Sequence, residues 1–326
     1  MKKTFRFFGF VLTLLILLSS QYYKSAFAGQ SVYLGGMTAG FSLNTRGVQV
    51  VGFCDVLTKN GAVNSPAKNA NLIVGDVILS INNKEINNAS DIENNVKSNF
   101  KHSVLIKRQD ETLNLNVSPV EDVNGNFKLG IFIRDNVCGI GTITFIKNGR
   151  FASLGHPILN DTGALLEIKD GDLFPCHITG CVKGEKGVAG ELRGVFIKNK
   201  PFGYIDKNLQ NGVYGYLSDD FDFESLEKIE IGTAVPGEAT IISTVNGDIK
   251  KEYTISIIKV DNLSETKNMV IKITDKSLID ASGGIVQGMS GSPIIQSGKL
   301  VGAVTHVFLN DSTRGFGIDI ANMLNN

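Results

Sequence analysis

The sequence predicts a mostly β protein with an all-β barrel unit and a smaller mixed unit in front of it. Three observations support this prediction. Glycine is abundant, with 36 residues, while proline is scarce, with 7. Short stretches rich in Val and Ile recur between clusters of Gly, Asn and Asp, and long helical periods are rare. At 326 residues the chain can hold one large or two medium domains, each with its own core.

Charge excludes one class of function. The chain has 32 basic and 32 acidic side chains, and no dense basic run follows the N-terminus. Proteins that bind nucleic acid usually present such a basic surface, so we expect no nucleic-acid partner.

The N-terminal segment, residues 1–28, predicts export. Three basic residues precede an uncharged, Leu-rich run from Phe7 to Tyr23. The charged end should stay in the cytoplasm while the apolar run enters the membrane as a hydrophobic helix. Ala-Phe-Ala at residues 26–28 matches a small-x-small cleavage site. A cleaved signal peptide and an uncleaved membrane anchor both stay open.

The first folded unit, predicted over residues 30–119, combines strands with one helix. The helix is predicted at Ala89–Asn99, because Ile92, Val96 and Phe100 have helical spacing after an Asn/Ser start. The strands are predicted at Val48–Phe53, Val77–Ile81, Ser103–Arg108 and Thr112–Val117.

Residues 65–82 of this unit resemble the PDZ family. Ser-Pro-Ala-Lys-Asn-Ala-Asn-Leu-Ile-Val-Gly-Asp-Val-Ile-Leu-Ser-Ile-Asn has that family's short helix, Leu-x-x-Gly-Asp turn and following strand. Gly75 permits the tight turn, and Asp76 can bond its own backbone. In that family, loop amides hold a peptide C-terminus while the ligand adds a strand to the sheet. The resemblance implies a peptide partner, and it places this loop and strand edge at Thr38, Ala39, Gly40, Phe41, Ser42 and Leu43.

A linker is predicted at Ser118–Gly130, which combines Pro, Asn, Gly and acidic residues. The second unit follows at residues 130–326, and its short strands with turn signals between them favour an all-β barrel. The strands are predicted at Gly139–Ile146, Val188–Ile197, Lys228–Glu230, Ala239–Thr244, Lys250–Ile258 and Met269–Ile273, with a helical end at Asp319–Leu324.

The most informative sequence of the second unit lies at residues 284–293. Gly-Ile-Val-Gln-Gly-Met-Ser-Gly-Ser-Pro places Ser290 between two glycines and ahead of an apolar strand. A serine hydroxyl becomes a nucleophile when a base removes its proton and backbone amides stabilise the resulting oxyanion. Because glycine lets the backbone direct two amides to one point, we expect an oxyanion hole formed by the amides of Gly288 and Ser290.

The base is sought among only four histidines. His156 lies in Phe-Ala-Ser-Leu-Gly-His-Pro-Ile at residues 151–158, where Gly and Pro end a strand and leave the imidazole at a loop edge. A carboxylate should then fix the imidazole tautomer. Asp275, at the end of a β segment shortly before the serine, is the first candidate. Four other carboxylates stay open for this role: Asp161, Asp170, Asp172 and Asp280.

The chain order His156, Asp275, Ser290 resembles that of chymotrypsin-like peptidases, and so does the spacing of the segment after the serine. This resemblance implies an all-β double barrel. It also implies that Thr305 and His306 lie on the strand that pairs with the substrate backbone.

The whole chain is similar to the stage IV sporulation protein B family, the membrane-associated serine peptidases of endospore-forming bacteria. The hydrophobic N-terminus, the PDZ unit, the Leu-Gly-His sequence and the serine loop carry the resemblance. It implies His156, Asp275 and Ser290 as a triad that needs no cofactor or metal. It further implies export to the space between the forespore membranes, cleavage of the enzyme itself, and cleavage of a membrane-bound regulator. The latter cut would let an intramembrane protease activate a mother-cell sigma factor, with the PDZ unit binding the enzyme's own N-terminal segment or the target.

Two alternatives of other classes stay open. Met289 replaces an acidic residue that usually precedes the nucleophile, and Ser292 replaces a glycine and is a rival nucleophile. Both departures favour a catalytically degenerate adaptor of a membrane complex. A thiol or zinc enzyme would use the Cys-His-Ile-Thr-Gly-Cys sequence around His177, which lacks a second ligand pair at finger-like spacing. Disulfides and free thiols are both open for the four cysteines, Cys54, Cys138, Cys176 and Cys181.

Overall fold

The computed structural model describes residues 29–109, 111–161, 163–261 and 263–324. The predicted signal peptide or anchor, residues 1–28, lies outside the described residues, and so does the hydrophobic helix expected there. Among the described residues, no helix has the length and apolar character that a membrane span requires.

Strands dominate the described part of the chain, as predicted. Up to residue 153 they are β1 Ser31–Leu34, β2 Thr38–Phe53, β3 Val56–Thr58, β4 Gly61–Val63, β5 Val77–Ile81, β6 Lys84–Glu85, β7 His102–Arg108, β8 Glu111–Val117, β9 Val120–Glu121, β10 Phe127–Lys128, β11 Ile131–Lys147 and β12 Arg150–Ser153. Beyond it they are β13 Ile168–Val182, β14 Glu191–Phe196, β15 Gly203–Leu209, β16 Gly212–Leu217, β17 Lys228–Ile231, β18 Gly237–Ser243, β19 Lys251–Val260, β20 Met269–Ile273, β21 Pro293–Gln296, β22 Lys299–Phe308 and β23 Asp311–Asp319. The described helices are α1 Pro66–Asn69, α2 Ala89–Asn95 and α3 Lys276–Ser282, with 3-10 turns at Phe223–Ser225 and Ile320–Asn322.

Six antiparallel strands close the first barrel. β2 pairs with β11, and the order continues through β12, β16, β15 and β13 back to β2. Alternate residues of these strands face inward, and the core includes Phe41, Leu43, Ile143 and Leu173, each at most 2% exposed. The loop that carries His156 follows β12 directly.

Six more strands close the second barrel. β18 pairs with β19, and the order continues through β20, β23, β22 and β21 back to β18. Ile241, Ile255, Ile271 and Ile294 fill its core, each at most 1% exposed. The two closed sheets form the double barrel that the sequence predicts.

β1 and β17 join the two barrels. β1 pairs with β11 of the first barrel and with β17, which pairs in parallel with β22 of the second. A separate apolar cluster fills this contact, with Phe145 and Ala152 from the first barrel and Ala303 and Ile318 from the second. The loop after β12 is therefore held close to β22.

The smaller unit contains β5, β7, β8 and the second half of β2, together with α1 and α2. Its core, which includes Val48 and Ile78, is separate from those of the barrels. Asp76 is fully buried there. Its carboxylate accepts two hydrogen bonds of 2.8 Å from Arg108 and one of 2.9 Å from the Ile73 amide. The predicted bond between Asp76 and its own backbone segment is confirmed.

Helix α2 is shorter than predicted. It ends at Asn95 because Val96 leaves the helical conformation, with φ −105° and ψ 80°. Ile92 and Val96 are buried, whereas Phe100 lies beyond the helix and is 77% exposed. The helical spacing therefore predicted the first two core residues correctly and the third wrongly.

The predicted PDZ carboxylate loop is wrong in its placement. Thr38, Ala39, Gly40, Phe41, Ser42 and Leu43 form the first half of β2, inside the first barrel. On one edge this segment pairs with β11, with Phe41 opposite Gly139, and on the other with β13, with Phe41 opposite Leu173. Because both edges are already paired, no peptide can add a strand there. The segment that the PDZ resemblance assigned to the ligand-binding loop is instead part of a barrel strand.

The predicted linker, Ser118–Gly130, folds against the smaller unit. β9 and β10 pair as a short hairpin, and Leu129 is buried in the core of that unit. β11 starts immediately afterwards. Its first residues pair with Gln49–Phe53 of β2, and its later residues pair with Thr38–Asn44. A ribbon of these two strands thus runs from the smaller unit into the first barrel.

Candidate active site

The loop that carries Ser290 connects α3 to β21 and is bound to β11 by three hydrogen bonds. The Thr142 amide donates to the Ser290 carbonyl at 2.9 Å. The Thr142 hydroxyl donates to the Gly288 carbonyl at 3.0 Å, and the Thr144 hydroxyl to the Gly291 carbonyl at 2.8 Å. Both threonines are fully buried, so these bonds are shielded from water and fix the loop on the first barrel.

Gly291 explains why glycine follows the serine. Its φ is +92°, a conformation that side chains disfavour. A Cβ atom here would lie 2.0 Å from the Thr142 carbonyl oxygen, which is far too close. Any larger residue at this position would push the serine loop away from β11.

The two amides predicted to form the oxyanion hole are unpaired. Within the described residues, the amides of Gly288 and Ser290 have no hydrogen-bond acceptor, whereas those of Met289 and Gly291 donate to backbone carbonyls. Unpaired amides beside a nucleophile are the donors that an oxyanion requires. The hole itself stays a prediction, and this backbone arrangement agrees with it.

Burial separates the two serines of the loop. Ser290 is partly exposed, and its hydroxyl donates to the Thr305 carbonyl at 2.7 Å. Ser292 is fully buried, and its hydroxyl has no partner within the described residues. Water and substrate therefore reach Ser290, and burial rules out Ser292 as a rival nucleophile. Met289 is also fully buried in the second-barrel core, which explains an apolar side chain where an acidic residue was expected.

The loop that carries His156 lies beside the serine loop. The amide of Leu154, two residues earlier, donates to the Thr142 carbonyl at 3.4 Å, so both loops bond to Thr142. A Cβ atom at Gly155 would lie 2.8 Å from Cγ2 of Thr305, the residue whose carbonyl accepts the Ser290 hydroxyl. Both loops therefore border Thr305 of β22, and the pairing of His156 with Ser290 stays a prediction.

A backbone carbonyl sets the tautomer of His156. Its Nδ1 lies 2.8 Å from the Pro157 carbonyl oxygen. A carbonyl can only accept, so Nδ1 carries the proton and Nε2 keeps its lone pair as the base. Burial lowers the pKa of His156 below its usual value, and the charge of Lys267 also lowers it. The hydrogen bond to Pro157 raises this pKa, but by less than burial lowers it. The ring is therefore neutral, as a general base must be.

A second histidine contacts the first. The ring centroids of His156 and His306 are 4.8 Å apart, with 43° between the ring planes. Burial, with smaller contributions from the charges of His156 and Lys267, lowers the pKa of His306 to about 4. Its Nδ1 is buried and has no hydrogen-bond partner within the described residues. Thr305 is buried and His306 is half-buried, and their pairing with a substrate backbone stays a prediction.

Asp275 forms no hydrogen bond with His156 in the described part of the chain, and its place in the triad stays a prediction. Its Oδ1 accepts hydrogen bonds from the Ser277 hydroxyl at 2.6 Å and the Leu278 amide at 3.1 Å, and this makes it the N-cap of α3. Its Oδ2 lies 3.4 Å from the Thr254 amide. The Ser277 bond, with the backbone amides, lowers the pKa of Asp275 below its ordinary value.

Strand register explains this separation. His306 borders Gly315, which pairs with Ile271 of β20. Asp275 lies four residues beyond Ile271, a distance of about 13 Å in extended chain. β20 ends at Ile273, and Asp275 begins the helix that follows it.

The four alternative aspartates also lie elsewhere. Asp161 forms an ion pair with Arg134 at 3.0 Å, and Asp170 accepts a hydrogen bond from Asn44 at 2.6 Å. Asp172 lies on β13, and Asp280 is exposed on α3. Among the described residues, no hydrogen bond joins a carboxylate to His156.

Family comparison assigns the reaction. Residues 125–324, more than half of the chain, match the family model of the SpoIVB peptidase S55. Residues 35–118 match that of a PDZ domain. The chain belongs to the SpoIVB peptidase S55 family. This S55 peptidase is therefore a serine peptidase that carries a PDZ domain. No curated protein matches the chain.

Sequence reasoning missed the threonines that hold the serine loop of this S55 peptidase. Thr142 and Thr144 alternate with apolar residues on β11, on one face of the strand. Their signal was two hydroxyls within the otherwise apolar stretch Ile140–Ile146, since a buried hydroxyl needs a partner. The contact between His156 and the Pro157 carbonyl could not be predicted from the sequence, because every residue has a backbone carbonyl.

The cysteine-rich sequence does not form a second active site. His177 lies on β13, with its Nδ1 3.0 Å from Asp248, and all four cysteines are free thiols. Burial raises the pKa of Cys176 to about 11 and raises that of Cys181 as well. Both thiols therefore stay protonated near neutral pH, which contradicts the alternative of a thiol enzyme.

The PDZ domain of this S55 peptidase has a cavity of about 450 Å³ between α2, the start of β3 and the start of β11. Its apolar lining includes Val56, Leu57, Ile92, Val123, Phe127 and Ile131. The Ala89 amide of α2 donates to Asp135 of β11 at 3.1 Å, and Lys128 forms an ion pair with Glu93 of α2 at 3.2 Å. β11 pairs with β2 at Ile131–Arg134, and no other strand of the described residues pairs with that stretch.

Proposed function

We propose that this S55 peptidase is an exported serine endopeptidase of endospore formation that cleaves itself and a membrane-bound regulator. The second cut would trigger intramembrane-protease signalling between the forespore and the mother cell. Family membership supports the sporulation role, and the basic, then apolar N-terminus supports export and membrane association. The proposed location is the space between the two forespore membranes.

The observation that supports catalysis best is that both reactive loops bond to Thr142 and meet at Thr305. In the proposed reaction, Nε2 of His156 takes the hydroxyl proton of Ser290 as the oxygen attacks a peptide carbonyl. The amides of Gly288 and Ser290 stabilise the oxyanion. The imidazolium then protonates the leaving amine, and water hydrolyses the acyl-enzyme with His156 again as base.

One rearrangement precedes this reaction. The Ser290 hydroxyl donates to the Thr305 carbonyl in the structure, so it must rotate toward His156 before proton transfer. Exchanging one hydrogen bond for another costs about 1 kcal/mol, which is small beside a chemical barrier. Substrate binding along β22 would provide the trigger.

The PDZ domain is proposed to bind a peptide, either a C-terminus or the enzyme's own N-terminal segment. The cavity beside α2 and the edge of β11 that faces away from β2, with which no described strand pairs at Ile131–Arg134, support this role better than Thr38–Leu43 of β2 does. An extended peptide could add its backbone to β11 and place side chains in the apolar cavity.

Reaction with a fluorophosphonate probe tests the function. The variant Ser290→Ala should fold and lose both labelling and self-cleavage, because it lacks the attacking oxygen. Ser292→Ala is the matched control and should label like the wild type, since that hydroxyl is buried and unpartnered. N-terminal sequencing of wild-type protein and the Ser290→Ala variant would locate the self-cleavage site. If Ser290→Ala is labelled as fast as wild type, Ser290 is not the nucleophile.

A degenerate adaptor is the second candidate, and one observation favours it: no carboxylate bonds to His156. An adaptor would assemble with its membrane partners equally well as wild type and as the Ser290→Ala variant. A wild-type protein that never labels, with or without substrate, would support the adaptor over the peptidase.

A further inference from the structure

Lys267 presents a positive charge beside the strands that border Ser290. It lies on the segment before β20, and its amine is 5.3 Å from the centre of the Phe316 ring on β23. The Phe316 carbonyl accepts a hydrogen bond of 3.2 Å from the Thr305 hydroxyl, and the Thr305 carbonyl accepts the Ser290 hydroxyl at 2.7 Å. Two consecutive hydrogen bonds therefore connect the residue under the lysine to the proposed nucleophile.

The Phe316 ring lies on the face of β23 that meets the loop of the predicted base. Ile318, two residues along the same strand, shares that face, and its Cγ2 would lie 2.8 Å from a Cβ atom at Gly155, the residue before the base. Gly317 between them faces the other way, since its Cβ position lies 3.0 Å from Ile294 in the second-barrel core. The lysine amine is thus on the same side of the second barrel as the predicted base.

The Lys267 amine has no carboxylate partner among the described residues. Its side chain is exposed, and none of the ion pairs in that part of the chain includes it. Asp261, the aspartate six residues earlier, lies 3.8 Å from the amine of Lys259 instead. Burial is the main cause of the low pKa of both His156 and His306, and the charge of Lys267 lowers each pKa further. The charge of Lys267 therefore reaches the reactive side chains while its donors stay available.

Two half-exposed aromatic rings accompany the lysine. Phe308, at the end of β22, packs against Phe316 with ring centroids 4.7 Å apart. An ammonium over an aromatic ring is attracted by the ring and keeps N–H groups free to donate. The rings offer an apolar surface to the methylene groups of a substrate side chain. This combination is complementary to a side chain with an apolar stem and a negatively charged end.

We propose that Lys267 is a specificity-determining residue, which selects substrates with a glutamate or aspartate at one of the two positions before the scissile bond. The inference rests on the proposed peptidase function and names the substrate class of that site. A peptide that lies along β22 with its scissile carbonyl at Ser290 passes close to β23, since neighbouring strands are about 4.8 Å apart. Its carboxylate would accept hydrogen bonds from the Lys267 amine, and the bound peptide would shield this ion pair from water.

Three peptidyl diphenyl phosphonates test the proposal on the full-length chain. They are identical except for their last two residues, which are both Glu, both Gln or both Lys. The serine oxygen forms a bond to phosphorus, the bond from phosphorus to one phenoxy oxygen breaks, and the serine proton leaves with the phenol. The quantity compared is the ratio of labelling rates for two probes on one protein variant, because a change in the reactivity of the serine itself cancels in that ratio.

Wild type should react with the Glu probe about fivefold or more faster than with the Gln probe, as a well-placed ion pair provides, and most slowly with the Lys probe. Lys267→Gln should react with the Glu and Gln probes at equal rates. Lys267→Glu should prefer the Lys probe, which is a gain that loss of folding cannot mimic. Lys272→Gln is the matched control, since it removes a positive charge from β20 at a position that pairs with Arg314, and it should keep the wild-type ratio.

The outcomes separate this inference from the proposed function. If wild type reacts with the Glu and Gln probes at equal rates, or only with a small fluorophosphonate, the inference is overturned while the peptidase stands. A wild-type ratio in Lys267→Gln also overturns it, because another group then recognises the acid. Loss of the preference in Lys272→Gln as well would overturn it in favour of a general positive field. If wild type reacts with neither kind of probe, the proposed function fails and the inference fails with it.

Discussion

The assignment of Asp275 leads to the sharpest prediction. Asp275→Ala removes the side chain that accepts hydrogen bonds from the Leu278 amide at 3.1 Å and the Ser277 hydroxyl at 2.6 Å. Loss of an N-cap costs about 1 kcal/mol, within a usual range of about 0.5–2 kcal/mol. The Thr254 contact, at 3.4 Å, is long and adds little. Asp275→Ser is the matched control, because serine caps a helix about as well as aspartate.

The two assignments of Asp275 predict different activities. If Asp275 is a helix cap, the melting temperature of Asp275→Ala should fall by about 2–4 °C and that of Asp275→Ser should stay near the wild-type value. Both variants should then react with the fluorophosphonate at the normal rate. A triad carboxylate predicts a loss of about 10⁴ in rate in both.

The pH dependence of stability gives a further check on Asp275. Its pKa is lower in the folded state than in the unfolded state, so its stabilisation is present above the unfolded value of about 3.9. This stabilisation is lost as pH falls through the folded value. The difference in free energy of unfolding between wild type and Asp275→Ala should therefore be fully present at pH 7 and should disappear at acidic pH. A folded Asp275→Ser variant that has lost three or more orders of magnitude of activity would refute our reading of the structure.

Three further predictions follow from the same structure. Labelling should hold its plateau below pH 6.5 and fall only at lower pH, because burial lowers the pKa of His156 and only the neutral ring is a base; a midpoint above 6.5 would contradict this. Thr142→Val should cut the labelling rate about tenfold or more, because it frees the Gly288 carbonyl and loosens the oxyanion amides. Thr142→Ser should retain the rate, and equal rates in both variants would show that the hydroxyl does not hold the loop. Asp76→Asn should destabilise the PDZ domain by about 1.5–3 kcal/mol in denaturant unfolding, because the buried carboxylate loses its charged hydrogen bonds from Arg108, whose own side chain is partly exposed; a loss below about 0.5 kcal/mol would contradict this.

Strand content and the serine loop followed from local sequence. Met269–Ile273 and Val77–Ile81 are strands with the predicted bounds, because alternating apolar residues and flanking turns specify a strand locally. The need for glycine beside Ser290 could also be predicted from the sequence, and the structure gives its reason, since the backbone at Gly291 leaves no room for a side chain. The short helix α3 was not predicted, because its seven residues give too little helical period.

Partners distant in sequence were harder to predict. The alternation in Thr38–Leu43 suits a PDZ edge strand and a barrel strand equally well, and only pairing with β11 and β13 decides between them. Asp275 precedes Ser290 in the order of a triad, yet its carboxylate turns to the start of α3. Residue order along the chain does not specify where strand register places a side chain.

The sequence by itself determined the strand-rich fold, because strands depend on neighbouring residues and their backbone preferences, and it predicts Ser290 as the nucleophile and His156 as the base from equally local patterns. Only the tertiary structure decided what surrounds the base: the Pro157 carbonyl at 2.8 Å, the His306 ring at 4.8 Å, and no bonded carboxylate within the described residues. Those contacts arise from the closure of two barrels around a shared interface. Closure depends on pairs of residues distant in sequence, such as Phe41 with Leu173 in the first barrel and Thr240 with Ile295 in the second, which no local pattern encodes.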